Sequence, residues 1–177
     1  AQIPIFFFFS HQSDKHAIHI YGCDFSVHII REQFMEFVAV QKLILAQFEM
    51  LTQELIAYQG WRTWFKPAPK GIYCWGSVGR GKTLLMDRFY ENLPRSDKKR
   101  IHFHAFMQHV HAQMFANPHE KDPLTKIAKD FAKKIKILCL DEMMVDDVAD
   151  AMILARLLGA LQTYGVVLVF TSNTAPE

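Results

Sequence analysis

The segment from Gly76 to Thr83, Gly-Ser-Val-Gly-Arg-Gly-Lys-Thr, constrains the fold of this chain more than any other feature. It fits the phosphate-binding loop pattern G-x-x-x-x-G-K-[ST]. Residues 72–75, between Gly71 and this loop, are rich in β-formers and predict a short buried strand. Residues 84–92 have a helical apolar period. Strand, glycine loop and helix in this order are the context that the pattern requires, and the alternative is a glycine-rich turn without a ligand.

The loop residues have predicted tasks at a bound nucleotide. Glycines let the backbone approach phosphate oxygens, while loop N–H groups and the helix N-terminus supply donors. We expect Lys82 to reach the β- and γ-phosphates and Thr83 to place its hydroxyl on Mg²⁺. The predicted ATP-binding residues are Gly76, Ser77, Val78, Gly79, Arg80, Gly81, Lys82, Thr83 and Leu84.

A second segment with candidate catalytic residues is the apolar run 135–140, which is followed by Asp141 and Glu142. The run predicts a central parallel strand, and ligands bind at the C-terminal ends of such strands. We expect Asp141 to hold the Mg²⁺ shell and Glu142 to act as general base on the attacking water. The pair follows Lys82 by 59 residues (141 − 82), which leaves room for a strand and helices between the two segments.

The last predicted strand covers residues 166–171, and Asn173 follows it closely. An amide at a strand end can bond the γ-phosphate or orient the attacking water, which an apolar side chain cannot do. Asn173 is therefore the third predicted catalytic residue, with Lys82 and Glu142. The alternative is an ordinary turn asparagine.

Three aspartates, Asp146, Asp147 and Asp150, lie at the start of a predicted helix over residues 148–164 that Gly165 ends. Acidic side chains in a first turn favour the helix dipole, so capping is the preferred role for Asp146. The roles of Asp147 and Asp150 stay open. An earlier helix is predicted from Asp122 as N-cap and Pro123 at its first position, and it continues to about Lys134.

Residues 34–58 predict a long amphipathic helix, because apolar side chains recur there at spacings of three and four. Packing on the core is the preferred role of this helix, and binding of a partner is the alternative. The proline-containing segment 66–70 marks a boundary. The domain prediction is thus an uncertain segment 1–33, a helix and linker 34–70, and a core 71–177.

Basic residues come at the start of the second predicted strand of the core, and histidines lie within it. The cluster Arg95, Lys98, Lys99 and Arg100 is expected to form a solvated loop. Residues 101–104 alternate apolar side chains with His102 and His104, which predicts a strand with both imidazoles on one face. Packed or hydrogen-bonded histidines are preferred over a metal site, since no cysteine or H-E-x-x-H spacing accompanies them. A helix over residues 106–115 is expected to stop at Asn117-Pro118.

Composition indicates a globular protein with an asymmetric charge. Residues 1–60 contain three Lys/Arg and six Asp/Glu, whereas residues 61–177 contain 17 and 12, as an ATP site would favour. Three cysteines, Cys23, Cys74 and Cys139, suit a reducing compartment. The apolar run 3–9 is too short to span a bilayer and makes a poor signal peptide. It is either an edge strand or sequence outside the fold.

Taken together, several motifs resemble the ZapE family of AAA+-like P-loop ATPases. They are Gly71-Ile-Tyr-x-Trp-Gly-x-Val-Gly-Arg-Gly-Lys-Thr, His102-Phe-His-x-Phe-Met, Asp122-Pro-Leu, Leu140-Asp-Glu, Val145-x-Asp-x-Ala-Asp-Ala-Met152 and Thr171-Ser-Asn. The resemblance covers about residues 71–177 firmly and the helix upstream of the loop less specifically. Residues before about 33 do not resemble the family.

The resemblance implies that residues 76–83 are the Walker A loop, that Asp141 and Glu142 are the Walker B acids, and that Asn173 is the sensor. It also implies ATP and Mg²⁺ as cofactors, action on protein partners such as division-ring proteins, and a nucleotide-dependent homo-oligomer. The expected location is the cytoplasm, or the mitochondrion in a eukaryote. A membrane span is not expected, and the small basic cluster does not indicate nucleic acid.

Several positions differ from the family pattern. Ser77 replaces a loop glycine, Ala105 replaces an arginine, and Met143 and Met144 replace aromatic residues. The family continues beyond the sensor strand into a further strand, an arginine that completes a neighbouring subunit's site, and a helical lid, which are absent before Glu177. Slow ATP hydrolysis by residues 1–177 alone is therefore expected.

The predicted fold is a three-layer α/β P-loop core with parallel strands near 71–75, 100–104, 135–140 and 166–171 and helices on both faces. The predicted activity is ATP hydrolysis. Two alternatives belong to other classes: a non-catalytic scaffold switched by nucleotide, and a nucleic-acid motor, which would need a larger basic track.

Overall fold

The structure is a computed structural model that describes residues 5–7, 17–19, 26–28, 35–58, 68–76, 81–145 and 147–174. Its strands are β1 (Ile5–Phe7), β2 (Ala17–His19), β3 (Ser26–His28), β4 (Ile72–Trp75), β5 (Lys98–His102), β6 (Ile137–Met143) and β7 (Val167–Ser172). Its helices are α1 (Met35–Ala57), α2 (Lys82–Asn92), α3 (Phe103–Ala116), α4 (Pro123–Lys134) and α5 (Val148–Thr163).

Five of these strands form one sheet in the order β1-β4-β7-β6-β5, and every neighbouring pair is parallel. Each of the four predicted strands is present, with ends that differ by at most three residues. Parallel neighbours need crossover connections, which the helices between the strands supply. The predicted fold class, a three-layer α/β core that follows a long helix, is confirmed.

Strands β6 and β7 form the centre of the sheet, where both faces are covered. Residues 137–140 and 167–170 are all buried, as expected for a parallel sheet between two helical layers. The odd-numbered side chains Ile137 and Cys139 belong to one apolar cluster, and the even-numbered Leu138 and Leu140 belong to the other. This alternation determines which helical layer each later residue of β6 faces.

Helices α1 and α2 cover the face with the odd-numbered side chains. Helix α1 contributes Ile44, Phe48, Leu51 and Leu55 to that cluster, and α2 contributes Leu85, Met86 and Phe89. The rings of Phe48 and Phe89 are in tilted contact, with centroids 5.2 Å apart. The prediction that α1 packs on the core is confirmed.

Helices α3, α4 and α5 cover the opposite face. Their buried side chains include Phe106 and Val110 of α3, Ile127 of α4 and Leu157 of α5. Helix α4 begins as predicted, with Pro123 in its first turn and an Asp122 carboxylate that accepts a bond from Thr125 N.

Gly71 is required where β4 approaches its neighbour. A Cβ atom at this position would lie 1.9 Å from the carbonyl oxygen of Leu168 in β7, which is closer than any side chain allows. The absence of a side chain therefore lets β4 pair closely with the central strand. This pairing brings the end of β4, and Gly76 after it, beside the end of β7.

The predicted strand over residues 101–104 is wrong in its second half. Strand β5 ends at His102, and α3 begins at Phe103, so His104 lies on a helix and does not share a strand face with His102. Phe103, Phe106, Met107 and Val110 have the spacing of one helical face, and their burial outweighs the short local alternation. His104 Nε2 lies 3.0 Å from Gln108 Nε2, one helical turn away.

The basic cluster is not the solvated loop that its charge predicts. Arg95 donates to the carbonyl oxygens of Leu55 (2.8 Å) and Tyr58 (2.7 Å), and Lys98 donates to that of Leu93 (2.7 Å). These acceptors lie at the ends of α1 and α2, where helical carbonyl groups have no partner within the helix. Two of the four basic side chains, Arg95 and Lys98, thus satisfy helix ends.

The segment near the N-terminus contains an edge strand. Residues 5–7 pair in parallel with residues 72–74 of β4, so of the two alternatives for the apolar run 3–9 the edge strand is the one observed. The rest of that run lies outside the described residues. Strands β2 and β3 form a separate antiparallel pair. No helix in the described ranges is long and apolar enough to cross a membrane.

Candidate nucleotide site at the carboxyl edge of the sheet

The candidate site lies at the edge of the sheet where β4, β7 and β6 end. Because the three strands are parallel neighbours, their C-terminal ends lie at the same edge. Gly76 follows β4, Asn173 follows β7, and Asp141 and Glu142 belong to the last part of β6. The structure therefore brings the ends of the three predicted segments to one edge, where open α/β sheets bind ligands.

The described ends of the loop are fixed to the sheet and to α2. Gly76 N donates to Ser172 O (3.2 Å), which joins the loop to the end of β7. Gly81 has a φ of 79° and caps α2, whose first residue is Lys82. A left-handed conformation at the cap suits glycine and turns the chain directly into the helix. Residues 77–80, with the predicted ligands Ser77, Val78, Gly79 and Arg80, lie outside the described residues.

Lys82 is buried, with 8% of its surface exposed. Its Nζ donates to the carbonyl oxygen of Gly76 (2.7 Å), which joins the first turn of α2 to the residue that follows β4. A buried cation at a helix N-terminus gives this place a strongly positive character. The neighbouring side chains Thr83 and Leu84 are exposed at the same helix end.

Asp141 is the buried acid of the site, with 5% of its surface exposed. It continues the odd-numbered positions of β6 and faces the layer of α2. Its Oδ2 accepts from Arg100 Nε (2.5 Å), and its Oδ1 accepts from the Thr171 hydroxyl (3.3 Å). Because each carboxylate oxygen has two lone-pair directions, both can accept a further bond.

Glu142 has a different environment from Asp141. Its φ is 56°, and the pairing between β6 and β7 shifts between Leu140 and Met143, which is a bulge. Its N–H donates to the Thr171 hydroxyl (3.2 Å), and its side chain is 71% exposed. Bulges redirect side chains at sheet edges, often at functional sites. The carboxylate lies 3.9 Å from His102 Nδ1.

Asn173 lies directly after the last strand, with an exposed side chain. The chain before it is held firmly, since Ser172 Oγ donates to Met143 O (2.6 Å) and accepts from Thr174 N (3.0 Å). These bonds join the ends of β6 and β7 beside the two acids. The position of Asn173 is thus determined by neighbouring backbone groups.

Sequence reasoning missed Arg100 and Asp87. Arg100 in β5 bonds Asp141 through Nε, and its Nη1 also bonds Asp87 Oδ1 of α2. Burial lowers the pKa of the Arg100 guanidinium, but bonds to the two carboxylates outweigh this effect and raise the pKa above its usual value. The sequence signal for Asp87 was its position four residues after Thr83, which places this acid on the same side of the predicted helix as the Thr83 hydroxyl.

The three aspartates at the start of α5 divide their roles. Asp147, whose role the sequence left open, is the N-cap, since its carboxylate accepts from Ala149 N (3.1 Å). Asp146 lies outside the described residues. Asp150 Oδ1 lies 2.9 Å from His111 Nε2 and joins α5 to α3.

Two buried thiols flank the site. Burial raises the pKa of Cys74 to about 11, against the opposing charge of Lys82. Burial and the nearby Asp141 carboxylate raise the pKa of Cys139 to about 12. Both thiols stay protonated and act as apolar side chains of the central strands.

Comparison with known proteins identifies similar sequences. The family described as AFG1-like ATPase matches residues 30–177. The cell division protein ZapE of Escherichia coli K12 is 42% identical over 156 residues, which cover 78% of this chain and 42% of that protein. An uncharacterized protein of Schizosaccharomyces pombe is 52% identical over 115 residues, or 62% of this chain and 25% of that protein.

Among solved structures, AMPPCP-bound DnaA from Aquifex aeolicus aligns with a TM-score of 0.49 and 17% identity, over 82% of this chain and 40% of that one. The chain spans less than half the length of each of these three proteins.

Proposed function

Because the chain belongs to the AFG1-like ATPase family, we propose that it binds Mg²⁺-ATP at the carboxyl edge of its sheet and hydrolyses the γ-phosphate by in-line attack of water. One observation carries this proposal. Buried Lys82 begins the helix after β4, and buried Asp141 lies near the end of β6. These two strands are separated only by β7 and end at the same edge. A cation for phosphate and an anion for magnesium are the pair of charges that this reaction uses.

The nucleotide phosphates would lie in the loop between Gly76 and the start of α2. Lys82 already donates to the Gly76 carbonyl oxygen, and a phosphate oxygen would replace this acceptor with a charged one. The N–H groups in the first turn of α2, at the positive end of the helix dipole, add donors on the same side. Ser77, Val78, Gly79, Arg80 and Leu84 complete the proposed contact set.

Thr83 and Asp141 fit a magnesium ion, which would help to neutralise the phosphates. Mg²⁺ prefers oxygen ligands and is usually held by one or two carboxylates together with substrate phosphates. Within the described part of the chain, no three His, Cys, Asp or Glu side chains cluster to form a complete metal site. Asp141 therefore suits an ion that arrives with the nucleotide.

Glu142 is the proposed general base. Its carboxylate is exposed at the bulge, next to the buried Asp141, and can accept a proton from water. Asn173, at the end of the neighbouring strand, would orient this water or bond the γ-phosphate. The different burial of Asp141 and Glu142 supports a division of labour between metal binding and proton transfer.

The wider role is proposed from similarity. ZapE is described as a cell division protein. We propose that this chain couples ATP hydrolysis to action on protein partners, in a nucleotide-dependent homo-oligomer. Among the described side chains of α1, the large apolar ones that remain exposed for such contacts are Leu43, Met50 and Ile56. The unpaired thiols of Cys74 and Cys139 support a reducing compartment, the cytoplasm or the mitochondrion.

Phosphate release at excess ATP tests the proposal, with Lys82→Ala and Lys70→Ala compared. Lys70 is exposed before β4, so its variant controls for loss of one positive charge. We expect steady release by the parent and Lys70→Ala, and neither binding nor release by Lys82→Ala. Nucleotide binding without steady release would support a non-catalytic scaffold instead, and binding by Lys82→Ala would exclude the proposed site.

A further inference from the structure

Arg100 forms a bridge between two elements that carry proposed magnesium ligands. Its Nε donates to Asp141 Oδ2 of β6 at 2.5 Å, and its Nη1 donates to Asp87 Oδ1 of α2. One guanidinium therefore bonds two carboxylates from different layers of the fold. Its planar fork can do this, whereas a lysine ammonium has no such fixed geometry.

Asp87 is the residue through which Arg100 is bonded to the first half of α2. It lies four residues after Thr83, so the two side chains share one side of the helix, one turn apart. The bond from Arg100 thus fixes the helix close to the hydroxyl that is proposed to bind Mg²⁺. Asp87 itself is not among the proposed ligands.

The bridge differs from an ordinary surface ion pair. The Arg100 side chain is 22% exposed and the Asp141 side chain 6%, so solvent screens their interaction weakly. Asp141 is also held from the other side by Thr171. Only the Asp87 end is open, at 40% exposure.

We propose that Arg100 is a positioning residue that sets the distance between Thr83 and Asp141 before Mg²⁺ binds. The inference rests on the proposed ATPase function and adds a residue to it. Mg²⁺ requires near-ideal octahedral geometry, so ligands on a helix and a strand must be held together closely. Arg100 supplies this constraint through Asp87 and does not touch the nucleotide.

The test measures binding of a fluorescent N-methylanthraniloyl derivative of ATP, in EDTA and over a series of Mg²⁺ concentrations. Asp87→Asn removes the charge that anchors the bridge to α2 and leaves every proposed ligand in place. We expect the Mg²⁺ concentration for half-maximal binding to rise by ~10-fold, the low end for partners of metal ligands, with affinity in EDTA unchanged. Arg100→Lys, which cannot bond both carboxylates equally well, should shift the Mg²⁺ dependence in the same direction.

Asp130→Asn is the matched control, because Asp130 is also a helical aspartate in an ion pair, with Lys133 at 2.7 Å, and it lies on α4 in the helical layer opposite to α2. The double variant Asp87→Asn/Arg100→Lys should be no worse than the more affected single variant, because both changes break the same bridge. Urea unfolding shows whether each variant is still folded. If Arg100→Lys does not fold, Asp87→Asn still tests the inference, because Asp87 is partly exposed and its substitution should be tolerated.

Three results would overturn the inference. Asp87→Asn could behave as Asp130→Asn does in the Mg²⁺ series, it could weaken binding equally with and without Mg²⁺, or the effects of the two bridge variants could simply add. In each case the parent still binds the ATP derivative, so the proposed function stands. Absence of binding by the parent itself would instead overturn the proposed function and this inference with it.

Discussion

The Thr171 hydroxyl donates to Asp141 Oδ1 at 3.3 Å, and the oxygen of this hydroxyl accepts a bond from the backbone N–H of Glu142 at 3.2 Å. One buried side chain of β7 therefore holds both acids of β6. The bulge that gives Glu142 its positive φ lies at this point of the pairing between the two strands. The hydroxyl supplies the partner that the displaced N–H of Glu142 would otherwise lack.

Thr171→Val should both destabilise the protein and slow ATP turnover. Valine keeps the shape but leaves the Glu142 N–H and an Asp141 oxygen without their partner, at a cost of ~1–3 kcal/mol. Urea unfolding and phosphate release measure the two effects. Thr171→Ser keeps the hydroxyl and should retain most of the turnover, and an equal loss in both variants would show that the methyl group matters instead.

Glu142→Gln should keep ATP binding and slow hydrolysis by ~10²–10⁴-fold, the usual contribution of a general base. The amide has nearly the same shape, but it cannot accept the proton of the attacking water. Single-turnover hydrolysis with pre-bound ATP measures the change. Glu120→Gln is the control, since Glu120 forms a surface pair with Lys126 (3.2 Å). Turnover by Glu142→Gln at the parent rate would contradict the assignment of the base.

The Arg95–Asp97 pair predicts a pH-dependent part of the stability. The hydrogen bond from Arg95 lowers the pKa of Asp97, and the same arginine bonds the end of α1. Because the folded pKa is depressed, this stabilisation is fully present above the unfolded pKa of ~3.9 and is lost as the pH falls through the folded pKa.

Urea unfolding of the parent and Asp97→Asn over a range of pH checks this prediction. The parent should be more stable at neutral pH, and the two unfolding free energies should converge as the pH falls below ~3.9. A constant difference at every pH at which both proteins fold would refute the linkage.

Cys74 and Cys139 should resist modification in the folded protein. Burial raises their pKa values to about 11 and about 12, so the reactive thiolate is rare at about pH 8. In a Cys23→Ser variant, which leaves only these two thiols, an aromatic disulfide reagent should react slowly in buffer and rapidly in urea. Rapid reaction in buffer would show that the central strands open readily.

Local signals were sufficient for much of the fold. Asp122-Pro123 predicted the start of α4, because a cap and a fixed φ act within one turn. The apolar runs of β6 and β7 predicted buried parallel strands, because both faces of the sheet are covered. The acidic pair and the glycine loop were predicted to lie at the same edge of the sheet, because each follows a strand and parallel strands have their C-terminal ends at one edge.

The misses have a common physical cause, which is that distant partners decide the outcome. His104 alternates locally as in a strand, but burial of Phe106 and Val110 against the sheet makes that segment helical. Arg95 and Arg100 look solvated in sequence, but their acceptors are Leu55 O, 40 residues before Arg95, and Asp141, 41 residues after Arg100. Nothing in the local pattern identifies these partners.

The most direct test of the account is a structure of the chain with Mg²⁺ and a non-hydrolysable ATP analogue. We expect one Mg²⁺ that contacts the Thr83 hydroxyl and, directly or through one water, the Asp141 carboxylate, with the γ-phosphate beside Lys82. An analogue bound away from the start of α2, or an Mg²⁺ that neither Thr83 nor Asp141 approaches, would contradict it.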